Sequence, residues 1–509
     1  MLNSVDFSGK PFHFIGIGGI GMSALAHVLA SRGLPVSGSD LRLSHITERL
    51  ETQGAHIFNQ QQAENLSFFT AGQTNGQVAS SLPQVVCSTA IGKDNAEYRE
   101  ALALGCPIFH RSDILAALMN ERKGIAIAGT HGKTTTSSIT GYLLLKAGID
   151  PTIIIGGEVS AWDGNAYVGS SDYVVAEADE SDGSLVKLTS HIGVITNIEL
   201  DHPDHYSSLD QVVAIFDRFV NQCETVIGCL DCPTVRDRIQ PDITYSLEPN
   251  SGADYIATNI IEEASGITAD IWERGEQLGT LTVPLLGLHN LSNTLAAIAV
   301  ARQLGVSFEA LAAHLPNFQG ARRRFEHRGF ENGILFIDDY AHHPSEIRAT
   351  LAAAQVKRNE PLSGNALANG ALSNGSLSNG SLSNGNRADS VARRVVAVFQ
   401  PHRYSRAATL LDEFATSFEG ADRILVTDIY SAGETNTANI TGEDVVSAIA
   451  QHHSSVEYTP TLADVKATLS TSLTPGDIVI FLTAGNLNQV IPEVVAAYQK
   501  VLQPEAALT

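Results

Sequence analysis

Residues 123–146 read KGIAIAGTHGKTTTSSITGYLLLK, and the fold is decided there. Residues 124–128 form a short apolar run with the length of a buried strand. A tight loop follows, Gly129-Thr130-His131-Gly132-Lys133-Thr134-Thr135. A helical pattern then places Ile139, Tyr142, Leu143 and Leu144 on one side. Strand, glycine loop and a Lys-Thr pair at a helix start are the context of a phosphate-binding loop. Glycines let backbone N–H groups approach phosphate oxygens, and the helix N-terminus adds partial positive charge. In such a loop Lys133 reaches the outer phosphates, and the Thr134 hydroxyl takes a place on Mg²⁺. One position departs from the usual spacing: Ile127 stands where the first glycine is expected.

The rest of the chain is read outward from that loop. At 509 residues it has room for about three domains of ~150 residues. The boundaries are placed at 1–121, 122–321 and 322–509. A net charge of −23 argues against a nucleic-acid partner, so an anionic ligand must be met by local cations and metal. The five cysteines, Cys87, Cys106, Cys223, Cys229 and Cys232, read as free thiols of a cytoplasmic protein. No apolar run is long enough to span a membrane.

Upstream, residues 11–17 form an apolar strand. It runs into Gly16-Ile17-Gly18-Gly19-Ile20-Gly21, a GxGxxG followed by a helix over about 22–31. Asp40 ends the next strand, where a ribose-binding acid belongs. Ser88 and Arg111 fall at the ends of later strands, the edge where open α/β sheets bind ligands. The motif leaves NAD and a nucleotide sugar equally open.

Downstream, Glu177 ends the apolar strand of DYVVAEADESD, and His202 follows the next strand in IELDHPDHY. Acids at neighbouring strand ends hold Mg²⁺ around a triphosphate, so Glu177 is the first metal candidate and His202 the second. Zinc would want three or four convergent softer ligands. Asn290 and Asn293 lie one turn apart before an alanine-rich helix expected over 294–304. The cluster Arg322-Arg323-Arg324 stands between domains. In the last third, strands end in DDYAHHPS (from Asp338) and QPHRYSR (from Gln400). Asp339, Tyr340, His342, Arg403 and Arg406 therefore meet one sheet edge, with the two arginines able to clamp a carboxylate or phosphate. A five-residue repeat over 363–386 (ALANG, ALSNG, SLSNG, SLSNG) has little to bury and is expected to be a dispensable surface loop.

Three α/β units in series, one of them an ATPase, point to a ligase that activates a carboxylate. An NAD-dependent oxidoreductase or a P-loop switch ATPase are the competing classes. The motifs GIGGIGMSALA, GTHGKTTT, AEADESD, TNIELDHPDHY, HNLSN, DDYAHHP, FQPHRYSR and DIYSAGE together resemble the Mur ligases of peptidoglycan synthesis. GIGGIGMS, DYAHHP and QPHRYSR are similar to the branch that adds alanine; the branch that recycles murein tripeptide shares much of the pattern. The resemblance implies a Rossmann-like UDP-binding domain, a central P-loop ATPase domain and a C-terminal Rossmann-like domain. It implies ATP and Mg²⁺ as cofactors, and UDP-N-acetylmuramate and L-alanine as substrates joined through an acyl phosphate, in a monomer or homodimer.

Residue by residue, the resemblance puts UDP on Gly16–Gly21, and the γ-phosphate and Mg²⁺ on Lys133 and Thr134. It puts a second metal on Glu177 and His202, adenine by Asn290 and Asn293, and the nucleotide near Arg324 and Asp339. Tyr340, Arg403 and Arg406 then form the alanine and phosphate pocket. Residues 207–220 contain no lysine, so the carbamoylated lysine of some Mur ligases has no counterpart there.

Overall fold

A computed structural model describes residues 4–69, 82–359 and 393–499. The repeat at 363–386 lies outside them. Three sheets follow one another along the chain. The first is parallel, in the order His56–Phe58, Val36–Ser39, Phe12–Ile15, Gln84–Cys87, Ile108–His110. The order reverses beside Phe12–Ile15, so its C-terminal end is a switch point where ligands bind. The glycine loop leaves from that end. Gly16 has φ +81°, a conformation that favours glycine.

The second sheet has ten strands. Its parallel centre runs Cys223–Cys229, Ser190–Ile195, Lys123–Ala128, Tyr173–Glu177, Thr152–Val159. The phosphate-loop strand thus sits between the two strands that carry the acidic motifs. The third sheet begins with the antiparallel hairpin of Glu326–Glu331 and Ile334–Asp339. It continues in parallel through Ile478–Leu482, Val395–Phe399, Arg423–Val426 and Val456–Tyr458.

The helix Lys133–Lys146 departs from the one-sided pattern expected of it. Every residue from Thr134 to Leu144 is buried. Small residues make this possible: a Cβ on Gly141 would meet Ile153 at 2.9 Å. The hydroxyls of Ser137, Ser138 and Thr140 bond back to carbonyls one turn earlier at 2.6–2.7 Å, so they are satisfied without water. The helix expected over 294–304 begins earlier, at Leu288, and runs to Gln303, which puts Asn290 and Asn293 in its first two turns.

Packing joins the units unequally. One apolar cluster runs from Phe12 and Phe14 of the first sheet through Ala126 and Ala176 to Phe216 of the helix Leu209–Val220, along one face of the central sheet. Asn165 of the central unit donates to Ser23 Oγ of the first helix, Ile20–Ser31, at 2.9 Å. The apolar clusters of the third sheet stay within it. Its contacts with the central unit near the site are mostly polar. No helix among the described residues is long and apolar enough to cross a membrane.

Candidate active site

The three sheets point their strand ends at a common crevice made of two adjoining cavities of about 400 and 460 Å³. His131, Gly132, Arg324 and Glu346 line both.

The loop between them is built on close approach. Gly129 has φ +136°, and a Cβ there would lie 2.0 Å from Thr196 Oγ1. Gly132 has φ +81°, and a Cβ there would lie 2.5 Å from Asn293 Oδ1. The Asn293 helix therefore seats directly on the loop. The Lys133 ammonium donates to the Gly129 carbonyl at 2.6 Å and to both Glu180 oxygens at 3.1 and 2.9 Å. Burial opposes its charge, but Glu180 and Asp179 hold Lys133 above its ordinary range. Thr134 Oγ1 donates to Glu177 Oε2 at 2.9 Å, and Arg324 Nη2 lies 3.3 Å from the same hydroxyl.

The smaller cavity is lined by Thr135, His289, Asn290, Asn293 and Asp339 beside Cys229 and Asp231. Asn290 Nδ2 is engaged with the Leu286 carbonyl at 2.7 Å. Asp339 accepts from the Phe325 and Ala341 amides at 2.7 and 2.9 Å. This slot beside the phosphate loop presents more apolar than polar surface.

The larger cavity gathers side chains from all three units. Gly19, Ile20, Gly21, Ser88 and Arg111 come from the first, Thr130, Lys133, Thr134, Glu177 and His202 from the second, and Tyr340, His342, Arg403 and Arg406 from the third. The first helix starts here with no side-chain cap, leaving its N-terminal amides to an anion. Arg111 reaches across to Asp179 and Asp182 at 3.0 and 3.2 Å. Arg406, almost fully buried, donates to Asp201 Oδ1 at 2.7 Å. Burial works against the Asp201 charge, yet Arg406 and His202 hold its carboxyl well below the carboxylate range. Arg403 Nη1 pairs with Asp204 at 2.7 Å and Glu434 at 3.3 Å. Arg324 lies over the Tyr340 ring, 5.1 Å from its centroid.

Histidines here carry different charges. Burial lowers His342 to about 4, so it is neutral near pH 7. Its Nδ1 lies 2.8 Å from the Tyr340 carbonyl, which fixes the proton on Nδ1 and leaves a lone pair on Nε2. His202, at φ +56°, is likewise lowered by burial. His131 goes the other way: against burial, hydrogen bonds to Glu199 and Glu346 raise it to about 10.

Three of the residues expected on the substrate are not brought to either cavity. Gly16 and Gly18 lie behind the loop, and Asp40 accepts the Gly18 amide at 2.9 Å and the Arg42 amide at 2.9 Å. Asp40 thus shapes the glycine turn. The other expected residues line one or both cavities, Gly129 excepted, which supports the loop from beneath. Sequence reasoning passed over Asp179, Glu180, Glu199, Asp201, His343, Glu346 and His402. Six of these stand inside motifs already quoted. Glu346 sits at the third position of a helix, where it reads as a cap.

Thr134 Oγ1 and the Glu177 carboxylate converge as hard oxygen ligands, so the site fits a magnesium ion.

Residues 11–123 match the model of the Mur ligase family catalytic domain, 127–301 the Mur ligase middle domain, and 323–363 the Mur ligase glutamate ligase domain. The chain is 58% identical over 504 residues to the UDP-N-acetylmuramate–L-alanine ligase of Nostoc punctiforme, covering 98% of each chain. Among solved structures it is similar to the UDP-N-acetylmuramate–alanine ligase of Thermotoga maritima, with TM-score 0.75, 24% identity and 96% and 99% of the two chains covered. A murein peptide ligase of Psychrobacter arcticus has TM-score 0.68, 24% identity and 97% and 100% coverage. Both structural likenesses are likenesses of fold.

Proposed function

Because the chain belongs to the Mur ligase family, we infer that it joins L-alanine to the carboxylate of UDP-N-acetylmuramate at the expense of ATP, in peptidoglycan precursor synthesis. The observation that carries this reading is the single crevice in which the glycine loop of the first unit, the phosphate loop of the second and the arginines of the third line one cavity.

ATP places its nucleoside in the smaller cavity against Asn290, Asn293 and Asp339, with its phosphates along Gly132–Thr134. UDP-N-acetylmuramate enters the larger cavity with its diphosphate on the amides of Gly19–Gly21 and near Arg111. Thr134 and Glu177 hold Mg²⁺, with His202 at a second metal position. When bound, Mg²⁺ neutralises phosphate charge. A carboxylate is a poor electrophile, so its oxygen first takes the γ-phosphoryl group and ADP leaves. Lys133 and Arg324 stabilise the charge spread over the transferred group. The alanine amine then attacks the acyl carbon, the tetrahedral intermediate collapses, and inorganic phosphate departs with the original carboxylate oxygen. The amine must first lose a proton; of the neutral histidines in the cavity, His342 has its Nδ1 engaged by the Tyr340 carbonyl and its Nε2 left to accept it. Arg403 and Arg406 hold the alanine carboxylate and the departing phosphate. The acyl phosphate must be kept from water, which is the work of the third unit lying across the crevice.

Substrate labelled with ¹⁸O in the muramate carboxylate tests the route. The label should appear in inorganic phosphate as product forms. Product formation with unlabelled phosphate would exclude the acyl phosphate.

A further inference from the structure

Among the described residues, one group of three metal-competent side chains stands apart from the Thr134–Glu177 oxygen pair: His131, Glu199 and His343. Each offers a ligand atom, and the three atoms lie within 4.8 Å of one another. His131 and Glu199 come from the central unit, His343 from the third. His131 Nε2 is 3.2 Å from Glu199 Oε2, His343 Nδ1 is 3.8 Å from that same oxygen, and the two rings stand 4.5 Å apart.

The surroundings orient these groups as a metal site requires. A metal-bound histidine usually gives its other ring N–H to a carboxylate. His131 Nδ1 lies 3.1 Å from Glu346 Oε1 and Nε2 3.2 Å from Glu199 Oε2, so a metal at Nε2 displaces the proton shared with Glu199 to solvent while Glu346 keeps the one on Nδ1. Ser345 Oγ donates to Glu199 Oε2 at 2.7 Å and fixes that carboxylate. His343 is 5% exposed, and its Nε2 is buried with no hydrogen-bond partner. The nitrogen that faces Glu199 is Nδ1, which accepts the Ser345 amide at a long 3.3 Å, so a metal there would take that lone pair in place of a weak cap bond.

We propose that His131, Glu199 and His343 form a binding site for a zinc-class divalent cation that pins the third unit to the phosphate loop. Two imidazoles and one carboxylate are a donor set suited to Zn²⁺, with the fourth position open. They suit Mg²⁺ poorly, because it prefers an all-oxygen octahedron. Its ligands are other side chains than the Thr134–Glu177 pair, and it bridges the third unit to the His131 and Glu199 wall of the smaller cavity.

The test uses the full chain, ligand-free, with Mg²⁺ in excess to fill oxygen sites. Zn²⁺ is titrated calorimetrically, and Co²⁺ is added separately as a spectroscopic probe. One Zn²⁺ should bind per chain, and Co²⁺ should give tetrahedral bands with no thiolate charge-transfer band. His343→Asn keeps a good helix cap while removing the ligand, and should lose the site with an unchanged melting curve. Glu346→Gln, which removes the charge that orients His131 while an amide oxygen can still accept the His342 and His343 amides, should weaken Zn²⁺ by roughly 10–100-fold. Cys229→Ser/Cys232→Ser should bind as the parent does. Absence of Zn²⁺ binding to the parent would overturn the proposal. So would unchanged binding in both His343→Asn and Glu346→Gln, or binding lost in the cysteine variant.

Discussion

Lys133 shows how one side chain is kept ready for a ligand. Its ammonium is buried, and Glu180 and two loop carbonyls hold it in place. A phosphate arriving at the loop exchanges one anionic partner for another, so little reorganisation is needed. Lys133→Ala should fold normally and lose turnover by about 10²–10³-fold or more, the scale for removing a preorganised charge. Near-parental turnover measured by ADP release would remove the phosphate loop from the account. A second residue gives a pH signature. Asp338 is fully buried with neither oxygen hydrogen-bonded, and Arg323 Nε stands 3.6 Å away. Burial, only partly offset by Arg323, raises its carboxyl to about 6. A raised acid favours the protonated folded state, so it destabilises progressively as pH rises from about 4 through 6. Asp338→Asn should therefore raise the melting temperature of the third unit by a few degrees at pH 8 and leave it unchanged at pH 4. A gain of equal size at both values would contradict this.

At the scale of the element, the phosphate loop depends on the absence of a side chain at one point. A Cβ on Gly129 would overlap Thr196 Oγ1 at 2.0 Å in a backbone that already favours glycine. Gly129→Ala should weaken ATP binding by tens of fold or more, read by calorimetry, while Gly148→Ala, in open space beyond the same helix, should not affect it. Parental affinity in Gly129→Ala would show that the loop tolerates displacement. The same element shows what was legible in advance. The strand, loop and helix of 123–146 follow from apolar runs, glycines and the Lys-Thr pair, each a local signal. The burial of the helix on all sides does not follow, because it needs Ser137, Ser138 and Thr140 to bond within the helix and Thr134 to reach Glu177 outside it. The early start of the helix at Leu288 was also hidden, since Gly287 caps it with backbone alone. Asp40 was placed on the ribose from spacing, whereas its carboxylate is taken by the Gly18 amide, a contact that spacing does not encode. Glu180 and Glu346 were missed for a related reason. Their partners, Lys133 and His131, are 47 and 215 residues away.

Across the whole molecule, the first and central units share an apolar core, while the third meets the central unit near the site mainly through polar groups. Arg406–Asp201, Arg403–Asp204, His131–Glu346 and Ser345–Glu199 all cross that boundary. Such contacts break and re-form without exposing a core, which suits a unit that must admit substrates and then exclude water. Asp201→Asn would leave the Arg406 charge buried without its carboxylate, a cost of about 3–5 kcal/mol to the closed arrangement. Small-angle scattering of that variant should show a larger radius of gyration than the parent, and an identical profile would argue that the ion pair does not hold the units together. Removing residues 363–386 should leave ADP release unchanged, because a low-complexity Asn/Gly/Ser repeat has little to bury. Loss of turnover on deletion would give the segment a role.

The most direct measurement is ADP release by the full chain with Mg-ATP and UDP-N-acetylmuramate, with L-alanine or the murein tripeptide supplied in turn. Release that requires both UDP-N-acetylmuramate and L-alanine is the predicted result. Release dependent on the tripeptide with free L-alanine inactive, or no release with either acceptor, would contradict the assignment of this crevice to alanine ligation.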